Sequence, residues 1–120
     1  MADLKIEEVE RTPTWAHLAI RGEIDLDTVS TLKDNLNQLI DAGVTRLVLD
    51  MGETSYVNSS ALAVLVSCAE KLREREGGIA LAQVSQRVKV PFEMLGLLVF
   101  FKFFDTVDAA KAAYPAEAKG

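Results

Sequence analysis

Apolar and polar positions alternate at the start of the chain, then switch to a helical period, and the switch recurs to the C-terminus. Leu4-Lys5-Ile6 alternates and predicts a short first strand. After the turn Thr12-Pro13-Thr14, Trp15 to Arg21 alternates again, with Ala16, Leu18 and Ile20 on one face and His17 and Arg21 on the other. Two such strands joined by a short turn predict an antiparallel hairpin, closed by Gly22. Val29, Leu32, Leu36, Leu39 and Ile40 then fall at helical spacing, with Asp27 as expected N-cap and Gly43 as expected stop. Leu47-Val48-Leu49 is apolar without alternation, the mark of a strand covered on both faces. Glu53 to Val57 reads as a loop, Asn58 opens a second helix to about Glu76, and Gly77-Gly78 ends it.

Ile79 to Val84 predicts another buried strand, Ser85 caps a third helix, and Phe100 to Phe104 is a last strand. A final helix spans Thr106 to Tyr114, and Pro115 ends it. The order is β-β-α-β-α-β-α-β-α, an α/β domain whose mixed sheet begins with an antiparallel hairpin and continues in parallel strands, with about four helices. Residues 1–114 form the expected single domain, and 115–120 an expected disordered tail. Pro91 stands inside the third helix, so that helix either starts late or bends there.

Thirteen basic and 18 acidic residues give a net charge of −5, which argues against a nucleic-acid binder needing clustered Lys and Arg. No run reaches the ~20 apolar residues of a membrane-spanning helix, and Met1 to Arg11 lacks the apolar core of a signal peptide. A cytoplasmic protein without membrane insertion is expected. A single Cys and a single His exclude a Cys/His zinc cage, and no metal or cofactor is expected.

Enzyme signatures are missing: there is no phosphate-cradling Gly-Lys loop, no GxGxxG and no HExxH, so no catalytic residue is assigned. Cys68, among Leu65, Ala69 and Leu72, reads as a buried structural thiol rather than a nucleophile. His17 reads as a surface residue rather than a base, and Glu23, Asp25 and Asp27 as helix-start partners rather than cation ligands. Asp50 ends a central strand, where open sheets place ligands, and with Lys102 it admits a receiver-like phosphoacceptor reading. Against that stands the opening hairpin, in which the only acidic pair after the first strand, Glu7-Glu8, lies. Asp50 is expected to be structural.

Tyr56-Val57-Asn58-Ser59-Ser60-Ala61-Leu62 is the informative segment. Asn58 is placed to cap the second helix, which puts Ser59 at its first position beside free N–H groups. A phosphate there meets ready donors and the positive end of the helix.

The chain resembles single-domain STAS proteins of the anti-sigma factor antagonist family. The resemblance spans roughly Leu4 to Tyr114. It rests on Gly22-Glu23-Ile24-Asp25, on Leu47-Val48-Leu49-Asp50, on Tyr56 to Leu65 against the family's Asp-Ser-Ser/Thr-Gly-Leu motif, and on Gly96-Leu97, Phe100 and the helix start at Asp105 to Ala110. Two positions depart from the motif: Asn58 stands for its Asp and Ala61 for its Gly. The resemblance implies a partner switch. An anti-sigma factor that is also a serine kinase would phosphorylate Ser59, with Ser60 as minor alternative, and a phosphatase would reverse it. Unphosphorylated protein would bind that anti-sigma factor through Asn58, Ser59, Ser60, Ala61 and Leu62. A rival reading is an accessory STAS subunit of a lipid-transport ATPase complex.

One more feature stands apart. Leu97 to Phe104 holds too many apolar residues to bury against one core, and Leu98 and Val99 replace residues that are usually polar in the family. Either the third helix folds over this run, or it stays exposed and supports partner binding or a homodimer.

Overall fold

A computed structural model describes residues 3–115. Of the tail expected at 115–120, residues 116–120 lie outside the described residues. β1 (Leu4–Thr12) and β2 (Trp15–Ile24) form the expected hairpin, paired antiparallel from Leu4–Gly22 to Thr12–Trp15. β1 is longer than its alternating start suggests. Its register slips between Glu8 and Glu10, so Val9 forms a bulge that breaks the alternation while pairing continues beyond it.

α1 (Val29–Asp41) buries Leu32, Leu36, Leu39 and Ile40. It stops at Gly43, whose φ of +109° suits glycine; the Gly43 N–H donates to the Ile40 carbonyl and the Val44 N–H to that of Leu39. β3 (Arg46–Val57) runs straight through the expected loop at Glu53 to Val57. It stays extended because β2 pairs with it in parallel as far as Ile24–Val57, with two register shifts on the way. Thr54 turns inward there, and its hydroxyl donates to the Ile20 carbonyl at 2.8 Å.

α2 (Ser59–Arg73) leads to β4 (Gly78–Ala82), which is shorter than predicted because the chain turns at Gln83, φ +60°. α3 (Gln86–Met94) begins directly after its Ser85 cap and continues through Pro91, so it does not start late. A single 3-10 turn, Leu98–Phe100, precedes the short β5 (Lys102–Phe104), and α4 (Val107–Ala113) closes the described chain.

Strand order along the sheet is β1-β2-β3-β4-β5, antiparallel only at the first pair. This is the mixed sheet with four helices expected from the pattern. On one face Leu18, Ile20, Leu47, Leu49, Ile79 and Leu81 meet α1, α2 and α3. On the other, Trp15, Val48, Ala80 and Ala82 meet Ala110 of α4, and the Trp15 indole N–H donates to the Tyr114 carbonyl at 2.6 Å. Phe92 of α3 is fully buried, and its ring meets those of Phe101 and Phe103 edge-on at 5.5 Å. The run from Leu97 to Phe104 therefore divides. Phe101 is buried and Leu98 packs partly against the core, whereas Val99 is 86% exposed and α3 does not cover it.

Candidate functional site

The second helix starts where β3 ends, and Asn58 makes the junction. Its backbone is extended (φ −97°, ψ 177°), its N–H donates to the Ile24 carbonyl at 2.9 Å, and its carbonyl accepts from the Leu62 N–H. Its side-chain oxygen accepts from the Ala61 N–H at 2.8 Å, the N-cap bond expected of this residue. The start of α2 is thereby fastened to the end of β2. Ser59 takes the first helical position and is exposed, Asn58 and Ser60 are half-buried, and Ala61 and Leu62 are buried. Of the five residues, Ser59 is the one presented to solvent; the last two anchor the helix.

Replacing Asn58 by Ala is expected to cost about 0.5–2 kcal/mol, and replacing it by Asp almost nothing, since both Asn and Asp cap well. Chemical denaturation of the two variants checks this. Equal stabilities would show that the Asn58 bond does not hold the helix start.

The neighbouring loops complete the surface. In the β2–α1 connection the Asp25 carboxylate accepts from the N–H groups of Asp27 and Thr28, and the Thr28 hydroxyl donates to the Glu23 carbonyl. The expected cap Asp27 is thus displaced: Thr28 holds the N-cap position without a side-chain cap bond, and Asp25 organises the turn. This turn leaves Leu26 79% exposed. Tyr56 is also exposed, beside a small cavity it shares with Arg87 and Pro91 of α3. On its other side Ser59 opens onto a groove of about 540 Å³ between α2 and the segment after α3, lined by Leu62, Val66, Leu95 and Leu97.

The rival chemical candidates are otherwise engaged. Asp50 lies within β3, not at its end, and its Oδ1 accepts from the Gly52 N–H and the Gln83 side-chain amide, each at 3.0 Å. Lys102 lies with its ammonium 5.0 Å from the centre of the Tyr114 ring. Cys68 is buried in α2, and burial pushes its thiol up. Among the described residues no three His, Cys, Asp or Glu side chains gather as metal ligands.

His17 corrects the surface reading. It is only 7% exposed, and neither ring nitrogen has a hydrogen-bond partner. Alternation rightly puts it opposite Leu18, but α4 approaches that face and Lys111 pairs with Glu10 of β1 beside the ring. Burial, and then the Lys111 charge, hold its pKa below the ordinary histidine value.

The STAS domain family model matches residues 6–110. The anti-sigma-F factor antagonist RsfB of Mycobacterium tuberculosis is 31% identical over 97 residues, covering 79% of this chain and 77% of that protein. An anti-sigma-B factor antagonist of Listeria monocytogenes is 32% identical over 96 residues, covering 79% and 83%. Among solved structures, an anti-sigma factor antagonist from Mycobacterium paratuberculosis superposes with a TM-score of 0.79 at 24% identity, covering 91% of this chain and 93% of that one. The unphosphorylated form of the anti-sigma factor antagonist SpoIIAA gives 0.76 at 20% identity, covering 93% and 96%.

Proposed function

The chain belongs to the STAS domain family, and from that membership we propose that it is an anti-sigma factor antagonist, a binding module switched at Ser59. With a free Ser59 hydroxyl it docks on an anti-sigma factor in the cytoplasm; a kinase activity of that partner modifies Ser59, and a phosphatase restores it. The observation that carries this reading is the exposed Ser59 at the first position of a capped, fifteen-residue helix. The helix needs no rearrangement to receive a phosphate there. The group adds about −1.5 to −2 charges and meets unpaired N–H donors at the positive end of the helix.

The same charge is unwelcome in a contact. Leu26, in the turn after β2, and Tyr56, near the end of β3, lie exposed, and a partner covering them together with the α2 start would have to desolvate the phosphate. Fold is kept while binding is lost, which is what a switch requires. Asn58 supports the cap without adding a carboxylate beside the modified serine. The reading as an accessory subunit of a lipid-transport ATPase is less favoured by the names of the relatives, and the Asp50 reading by the hydrogen bonds that engage its carboxylate. No helix among the described residues is long and apolar enough to cross a membrane.

The test uses the purified anti-sigma factors of the source genome with ATP and mass-spectrometric mapping. Label is expected on Ser59 and absent from Ser59→Ala; Ser59→Asp is expected to melt normally and to bind at least about tenfold more weakly. Label that survives in Ser59→Ala, or undiminished binding by Ser59→Asp, overturns the assignment.

A further inference from the structure

We propose that the groove beside Ser59 seats an amphipathic helix of the anti-sigma partner, apolar toward Val66 and Leu95 and basic toward Glu70 and Glu74. The inference rests on the functional reading above and extends its contact surface from the start of α2 along the whole helix. The groove is about 540 Å³, with Leu62 and Val66 as floor and Leu95 and Leu97 as the opposite wall. Leu95 is 59% exposed and the preceding Met94 more so, because the chain leaves α3 here and no other element covers them. Contiguous apolar surface of this kind marks an interface more often than scattered exposed residues do.

Charge selects the occupant. At the far end Glu70 and Glu74 stand one turn apart on α2, both exposed, and neither forms an ion pair among the described residues. Lys71 also lines the groove, its ammonium donating to the neutral Asn37 side chain on α1 at 3.0 Å, so at this end two carboxylates stand against one ammonium. The groove is therefore apolar near Ser59 and has an excess of carboxylate over ammonium at its other end. From Ser59 to Glu74 a helix rises about 22 Å, room for roughly four turns of a partner helix laid along it. A segment carrying apolar residues on one face and Lys or Arg toward one end matches both halves. A second copy of this chain is the poorer occupant, since it brings a net charge of −5 to an acidic groove.

The experiment measures binding of a purified anti-sigma factor from the source genome by calorimetry. It uses Ala63→Arg, Leu95→Asp and the double variant Glu70→Lys/Glu74→Lys, with Val9→Asp on the far edge of the sheet as control. Each groove variant is expected to weaken binding by about tenfold or more. The charge variant should also flatten the salt dependence, and the control should leave binding unchanged. If Leu95→Asp unfolds, Ala63→Arg decides, since Ala63 is exposed on α2 and Arg is a good helix former. Groove variants that bind like the unmodified chain, while Ser59→Asp does not, overturn the groove and leave the switch standing. An unmodified chain that binds no anti-sigma factor overturns both. Loss of self-association alone, seen by sedimentation, would make a second copy the occupant and overturn the proposal.

Discussion

Truncating Phe92 to alanine is expected to destabilise the fold by about 3–5 kcal/mol, the range for a fully buried aromatic that leaves a cavity. The side chain has no solvent exposure and is the central ring of a cluster, edge-on to both Phe101 and Phe103. It is also the chief anchor of α3, which buries only Val88 besides it. Without the ring, two aromatic neighbours lose an edge contact and α3 loses most of its hold on the sheet. Urea denaturation measures the loss directly, and a change below about 1 kcal/mol would mean that the site collapses to fill the space.

Gly77→Ala is expected to be at least as severe. A Cβ at this position would lie 1.7 Å from the carbonyl oxygen of Thr45, a backbone atom in the turn that leads into β3. The same oxygen accepts from the Gly78 N–H at 3.0 Å, so the carbonyl cannot swing away without breaking the junction between β3 and β4. The cost should exceed about 4 kcal/mol, the exceptional range for a single substitution. Gly96→Ala is the useful contrast. There an added Cβ meets nothing within 4 Å, and only the positive φ of +68° penalises it, at about 1–2 kcal/mol. Thermal melting of the pair distinguishes the two causes; similar losses would mean that the Thr45 clash relaxes at little cost.

The parts of this molecule that can be read from its sequence are those set by local rules. Leu32, Leu36, Leu39 and Ile40 lie on one helical stripe, and the structure buries that stripe. Asn58 carries a capping side chain immediately before an apolar-rich run, and it caps. Other features depend on partners far along the chain. Glu53, Thr54 and Ser55 have the composition of a loop, and only the pairing of β2 with that stretch makes it a strand. Val9 hides the length of β1 because a bulge shifts the alternation by one residue. Asp27 was the obvious acid before α1, yet Asp25 makes the bonds, a choice set by the turn geometry after Ile24. His17 keeps the face that alternation gives it, but its burial comes from α4 at the opposite end of the chain. Ser59 was legible as a position; the groove beside it was not, since Leu95 reaches α2 only through tertiary packing.

The strands lie across the sheet in the order of synthesis, and this has a consequence for assembly. Each new strand after the hairpin can add to the edge left by the one before, so no strand must be threaded between two already in place. The nascent chain can thus grow its core outward from the hairpin, with short-range closures first. Among the described elements α4 is the one that returns across the sheet after β5, where the Tyr114 carbonyl meets the Trp15 indole, partners 99 positions apart. Trp15 is the sole tryptophan, and α4, which follows all five strands of the described sheet, is the helix that covers it. Its emission is a built-in indicator of whether α4 has docked on the sheet.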